Sequence, residues 1–225
     1  MVAQEPTRVV LQNFIDPSKY GLPQLVARMK MILVAFLEEM EEVLRRHGRS
    51  RRLGTLNEEG NKVLALLVRQ LFLASRDWSL ARRIGSPDPR QLLEWRVVVH
   101  ALEELAELFG GALASLNEGV PSRNDTTAEA LAAYVPELKE QLKNVVEALM
   151  HPSLDHACEV YHAGGILGDE TPALSVGRTP ALGHGGARPA AHLLQRGASC
   201  LGLLAAVAID RAVAAGNETI LVEAA

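Results

Sequence analysis

The chain is short of cysteine, of aromatic residues and of net positive charge. Its two cysteines, Cys158 and Cys200, have no paired spacing. They give no disulfide framework and suit a reduced, cytoplasmic setting. Aromatics make up 4% of the residues while Ala and Leu abound, which favours helix over strand. The formal net charge is -4, so the surface offers nucleic acid no broad attraction and no direct nucleic-acid binding is expected. The opening MVAQEPTRVV lacks a basic segment followed by an apolar run, so no signal peptide is expected. No uninterrupted apolar run reaches membrane length. The most apolar window, Cys200 to Ile209, is about half of what a bilayer crossing needs. Gln195, Arg196, Asp210 and Arg211 flank it, so it reads as a buried helix. Membrane contact is expected only through a partner.

What is present is helical periodicity over 225 residues, 48% hydrophobic and 22% charged. Thr7 to Ile15 is β-branched and partly alternating, and reads as a short strand. Pro23 suits the first turn of a helix that ends near Gly48. Leu22, Leu25, Val26, Met29, Leu33, Phe36, Met40, Val43 and Leu44 recur along it at helical spacing. Thr55 with Glu58 is a capping-box pattern for a second helix from Leu56 to Ile84. Its stripe is Leu64, Leu67, Leu71 and Ala74, widened by Val63, Leu66 and Val68, with Arg69 and Gln70 towards the edge. Asp88 caps and Pro89 opens a third helix, running to Leu116 through Leu92, Leu93, Val97, Leu102, Leu105, Ala106 and Leu113.

Asn117 to Thr127 is a polar linker bearing Gly and Pro. A fourth helix runs through Leu131, Val135, Leu138, Leu142, Val145, Val146 and Leu149. Pro136 should kink it or mark its start. Pro152 to Ala163 reads as a fifth helix, with an apolar face of Leu154, Ala157, Cys158 and Tyr161. Gly164 to Pro189 is Gly- and Pro-rich and reads as loop. Pro189 to Ala215 is a sixth helix, and Thr219 to Glu223 has the composition of a short strand. The expected fold is all-α, with three helices over residues 16–118 and three over 125–216. These are similar lengths, near the lower end of domain size.

Several segments carry a family resemblance: IDPSKYGLPQLVARM, LLVRQLFLASRDWSLARRIG, LLEWRVVVHALEELAE and, near the C-terminus, VAIDRAV. On these the chain resembles the phosphate-uptake regulator (PhoU) family, best between Ile15 and Leu116. The basic-Gln-Leu centre of the family's second helix is matched at Arg69, Gln70 and Leu71. The acidic element of its third helix is matched by LEELAE, Leu102 to Glu107. The resemblance implies two tandem antiparallel three-helix bundles, PhoU-like and placed end to end. It also implies a cytoplasmic adaptor that couples a phosphate ABC transporter to a sensor kinase or other regulator, with a homodimer compatible with that role. Some relatives carry a DNA-binding domain ahead of the helices, for which this chain is expected to have no room. The resemblance further implies divalent or ferric metal on acid pairs at i, i+4. Glu103 and Glu107 fit that pattern. The positions facing them, Asn57 and Asn61, are neutral, and in the second half Gln195 and Ser199 replace the acids. A reduced or lost metal site is the expectation.

Read from the residues alone, Glu103 and Glu107 lie one turn apart on one helix face, with His100 beside them, and could share a hard cation. The simpler reading is a solvated acidic face. His151, Asp155, Glu159 and His162 fall within about 80° of arc on a helix and could bind zinc or iron, or could be a solvated face. Arg45, Arg46, Arg49, Arg51 and Arg52 cluster in one turn. They could meet phosphate groups, an acidic partner or anionic lipid, or could be solvated. The Gly-rich segment has neither a strand before it nor a Lys-Ser/Thr after it, so nucleotide binding is not expected. No nucleophile set for catalysis is present, and the protein reads as a non-enzyme. The rivals to an adaptor are a metal-binding or metal-dependent helical protein using Glu103, Glu107 and the histidines of the second half, and a bare dimerisation scaffold. Arg69 is expected to pair with Glu103, Glu104 or Glu107.

Overall fold

The computed structural model describes residues 2–5, 8–11, 19–122, 124–169 and 185–223. Two short strands, β1 (Val2–Glu5) and β2 (Arg8–Leu11), pair antiparallel ahead of an all-helical body. Thr7 and the stretch from residue 12 to Ile15, the rest of the expected strand, lie outside the described residues.

Helix α1 (Leu22–Arg46) starts at extended Gly21 with Pro23 in its first turn. Its first amide, on Leu22, donates to the Ile84 carbonyl at 2.8 Å, which fixes where the helix begins. The apolar stripe expected along it is buried throughout. Arg45 and Arg46 in the last turn sit at the negative end of the helix dipole.

The long second helix expected from Leu56 to Ile84 is two helices: α2 (Leu53–Ala74) and α3 (Trp78–Arg83). Asp77 causes the break. Its carboxylate accepts from the amides of Ser79 and Leu80 at 2.9 and 3.1 Å, satisfying donors that only a new first turn exposes. The Thr55–Glu58 capping box does not form. Arg52 is the N-terminal boundary residue of α2, Thr55 lies inside the helix, and Glu58 pairs with Lys62 at 2.6 Å. Leu64, Leu67, Leu71 and Ala74 are buried as their spacing predicts. Gln70 is not at the edge. It is 1% exposed and donates to the Tyr20 carbonyl at 2.9 Å. Val68 faces outward.

Asp88 caps α4 (Pro89–Glu118), accepting from the Arg90 amide at 2.8 Å. Leu102, Leu105 and Leu113 of the expected stripe are buried, but Leu93 and Val97 are not. Both are exposed, whereas Trp95, Val98, Val99 and Ala101 are fully buried. The reason is that α4 packs on α1, α2 and α7 together, so its buried face is wider than one stripe. Trp95 donates its indole N–H to the Gly85 carbonyl at 3.4 Å, and the Arg211 guanidinium lies 4.4 Å from its ring centre. Burial pulls the pKa of Arg211 down against the attraction of Glu94, and burial pushes that of Glu94 up.

Asp125 caps α5 (Thr126–Met150) through the Thr127 and Ala128 amides. Pro136 does not mark its start. It sits inside the helix on an exposed position, and Ala132, whose carbonyl it leaves without a helical partner, is exposed too. Helix α6 (Leu154–Asp169) runs into the expected loop, so Gly164 to Asp169 is helical, and the stretch from 170 to 184 lies outside the described residues. The buried face of α6 is Ala157, Val160 and Gly164. Leu154 and Tyr161, expected inside, are exposed. Gly164 is there because Gln141 of α5 reaches across it to donate to the Val160 carbonyl at 2.7 Å. A Cβ at Gly164 would stand 2.9 Å from that amide nitrogen. Helix α7 (Ala187–Glu223) continues through the tail in which a strand was expected.

Helices α1, α2 and α4 pack on one another, and so do α5, α6 and α7. Contacts of α1 with α5 and of α4 with α7 join the two groups, and one continuous apolar core runs through both. Ala187–Gly216 is long and apolar enough to cross a membrane by length and composition. In this fold its Leu194, Leu201, Leu204 and Ala208 are buried, and α7 packs on α4, α5 and α6. The end of α4 meets the start of α7 backbone to backbone. The Gly186 amide donates to the Gly119 carbonyl at 2.8 Å, and a Cβ on Gly186 would overlap the Ser115 carbonyl.

Candidate functional site

A groove of about 950 Å³ opens between α2 and α4. The helices run antiparallel there, the first turns of α2 lying beside the C-terminal half of α4. Gly110 marks their close approach, since a Cβ on it would stand 2.9 Å from Asn57 Oδ1. Phe36 of α1 and Leu64 of α2 line the groove from the core side, and Val68 and Phe72 stand one turn apart at its open side. Both are large and apolar, yet they are 45% and 56% exposed. Glu103 and Glu107 line it from α4, and Asn57, Asn61 and Arg69 from α2.

The structure thus places Glu103 and Glu107 on the same groove as Asn57 and Asn61. His100 is exposed, with Nδ1 3.8 Å from Glu103 Oε2. Two carboxylates facing two neutral amides over an apolar lining are a poor fit to a multinuclear metal cluster, which needs several anionic oxygens for each ion. Among the described residues, no three His, Cys, Asp or Glu side chains come together as a metal-holding group.

The expected ion pair of Arg69 is not made. Arg69 is half-buried in the groove and forms no ion pair among the described residues, while Glu104 turns to Arg196 of α7 at 3.3 Å. Arg69→Leu and Glu107→Leu should therefore act independently. In a thermal-melt cycle the double variant should match the sum of the singles within about 0.5 kcal/mol. A larger coupling would mean that the two side chains interact in solution.

The second cluster is dispersed. His151 ends α5 and lies outside α6, so it cannot share the helical arc of Asp155, Glu159 and His162. Those three are exposed, and the His162 ring meets the edge of Tyr161 at 6.2 Å between centres. His192 is exposed on α7, and His184 lies outside the described residues. Cys200 is buried and donates to the Ala101 carbonyl at 3.4 Å, and burial pushes its thiol up to about 12, so it is a poor nucleophile.

The basic turn is partly neutralised from within. Arg45 and Arg46 both pair with Glu42, and Arg52 pairs with Glu39 at 3.0 Å. Two hydrogen bonds between the Ser50 backbone and the Asn117 side chain, at 2.8 and 3.1 Å, pin the turn to the end of α4. Arg49 and Arg51 are exposed and form no ion pair among the described residues. Of the five arginines, these two remain to meet an anion.

A shallower groove of about 520 Å³ lies between α6 and α7. Its α7 lining, Ala198, Ser199, Gly202 and Leu203, has the same spacing as Ala106, Glu107, Gly110 and Gly111 on α4. Sequence reasoning missed Val68, Phe72 and the glycine pair as groove residues. The available signal was Gly110–Gly111 in the interior of a helix, where glycine costs stability unless something approaches closely.

No protein-family model matches the chain, and neither a curated protein nor a solved structure matches it.

Proposed function

We propose that the chain is a PhoU-like regulatory adaptor in phosphate uptake and signalling, built from two antiparallel three-helix bundles and acting by protein contact. The observation that carries this reading is the helix packing: α1, α2 and α4 form one mutually touching set, and α5, α6 and α7 another. α1 and α5 are equal in length, 25 residues each, and the α4 and α7 groove linings repeat one spacing. That fits a duplicated three-helix unit, as the sequence resemblance implies. The bundles share a face through α1 with α5 and α4 with α7. The large, partly apolar groove on the first bundle supports a role in contact. The partner implied by the resemblance is a phosphate ABC transporter or a sensor or regulator protein.

The test is capture of partners by the tagged chain from cells grown with ample or scarce phosphate. A transporter subunit or sensor protein retained in one condition and released in the other is the expected result. The same proteins retained in both conditions, or only further copies of the chain, would overturn the phosphate role.

Metal content separates the adaptor from a metal-dependent protein. Two amides stand where a cluster needs acids, so protein purified without added metal should carry well under one transition-metal ion per chain. Elemental analysis checks this. Two or more ions, lost in the Glu103→Ala/Glu107→Ala variant, would reverse the conclusion.

A further inference from the structure

We propose that the groove between α2 and α4 seats a basic amphipathic helix of a partner protein. The adaptor reading supplies the nature of the partner, and the groove supplies its chemistry. The stretch of α2 from Leu56 to Phe72 borders the groove over about 24 Å at the usual helical rise, room for about four turns of a partner helix. Val68 and Phe72 offer an apolar track with a one-turn repeat, which matches apolar residues at i and i+4 on a helix laid alongside. Glu103 and Glu107 repeat on the opposite wall with the same period, neither has a Lys or Arg partner among the described residues, and with Arg69 the only cation in the described lining the groove stays net negative. Lys or Arg at i and i+4 on the flank of the incoming helix completes both.

The α6–α7 groove supplies an internal contrast. It repeats the α4 spacing but has Ser199 where α4 has Glu107, and Leu203 where α4 has Gly111. It lacks the charge. A basic helix therefore discriminates between the two grooves, and an uncharged one would not.

The probe is a fluorescein-labelled synthetic helix of about 16 residues with Leu along one face and Lys at i, i+4 beside it. Its counterpart carries Glu in place of each Lys. Fluorescence anisotropy with the full chain reads both. The Lys peptide should bind about tenfold tighter than the Glu peptide, the worth of two solvent-edged charge pairs, and the preference should shrink as salt rises. E103Q/E107Q should abolish the preference while leaving residual binding. F72A should weaken both peptides, and since Phe72 is exposed and loses only its contact with the exposed Arg76, 4.3 Å over its ring, this variant should melt within a few degrees of the parent. Equal binding of the two peptides, or an unchanged preference in E103Q/E107Q, overturns the proposal. So does Val68→Lys turning a dimer into a monomer with no peptide bound, because the occupant is then a second copy. Manganese or ferric iron bound at Glu103 and Glu107 and not displaced by the Lys peptide overturns it as well. The peptide preference can hold while phosphate-dependent capture fails, and the reverse, so the two readings fall separately.

Discussion

Trp95→Ala should lower stability by about 3–5 kcal/mol, the cost of emptying a fully enclosed aromatic site. Trp95 is 0% exposed and sits where α4 meets the turn before it and α7 behind it. Three losses combine. The ring volume becomes a cavity. The Gly85 carbonyl loses its donor. Arg211, whose guanidinium lies 4.4 Å from the ring centre, loses the surface that offsets its own burial. For a chain of this size each kcal/mol moves the melting temperature by about 2–4 °C, so a fall of about 10 °C is expected by circular dichroism. Trp95→Phe retains the ring face and should lose less than half as much. Equal losses in both variants would place the energy in the indole hydrogen bond instead.

Gly186→Ala should cost about 1–3 kcal/mol through overpacking, with Gly119→Ala close behind. At these positions α7 begins against the last turn of α4 with no side chain between the backbones. A methyl group at Gly186 would overlap the Ser115 carbonyl, and one at Gly119 would overlap the Gly186 amide. Neither neighbour is a flexible side chain that could step aside. Gly54 is the contrast. It lies inside α2, is exposed, and has nothing within 4 Å of a built Cβ. Gly54→Ala should therefore stabilise by about 0.5–1 kcal/mol through helix propensity alone. Chemical denaturation of the three variants checks the difference in sign. A destabilised Gly54→Ala would mean that α2 meets a surface there which the folded monomer does not contain.

Local chemistry was the legible part of this fold. Leu64, Leu67, Leu71 and Ala74 followed from period alone, and Asp88 with Pro89 announced α4 in sequence. Asp77 was a missed signal: at 100° per residue Leu80 and Ile84 fall far from the phase of Leu64, Leu67, Leu71 and Ala74, so the stripe of α2 does not continue past it. The cap geometry shows the chain restarting there. The exposure of Leu93 and Val97 on α4 was hidden for a different reason. A helix touching three neighbours has no single polar face, so Leu93 and Trp95 cannot be ranked by spacing. The acids of the groove were legible as a pair on one helix. Their opposite wall was not, since what Val68 and Phe72 face is decided by a helix some thirty-five residues further along the chain. Arg69 looked like a partner for that pair by topology, but Arg196 comes from the other end of the chain and takes Glu104.

The packing of α1 on α5 and of α4 on α7 has a consequence for the peptide bond itself. The segment from Gly119 to Asp125 carries the chain from one set of helices to the other, but the sets are held by a shared apolar core and by ion pairs such as Lys139 with Glu41 at 2.6 Å. Continuity of the chain is then a convenience of synthesis. A protease nick at Ser122 should leave a particle of unchanged mass on a sizing column. Two genes, one ending near Gly119 and one starting near Asp125, should complement each other when expressed together, although each product alone would expose half of a core and aggregate.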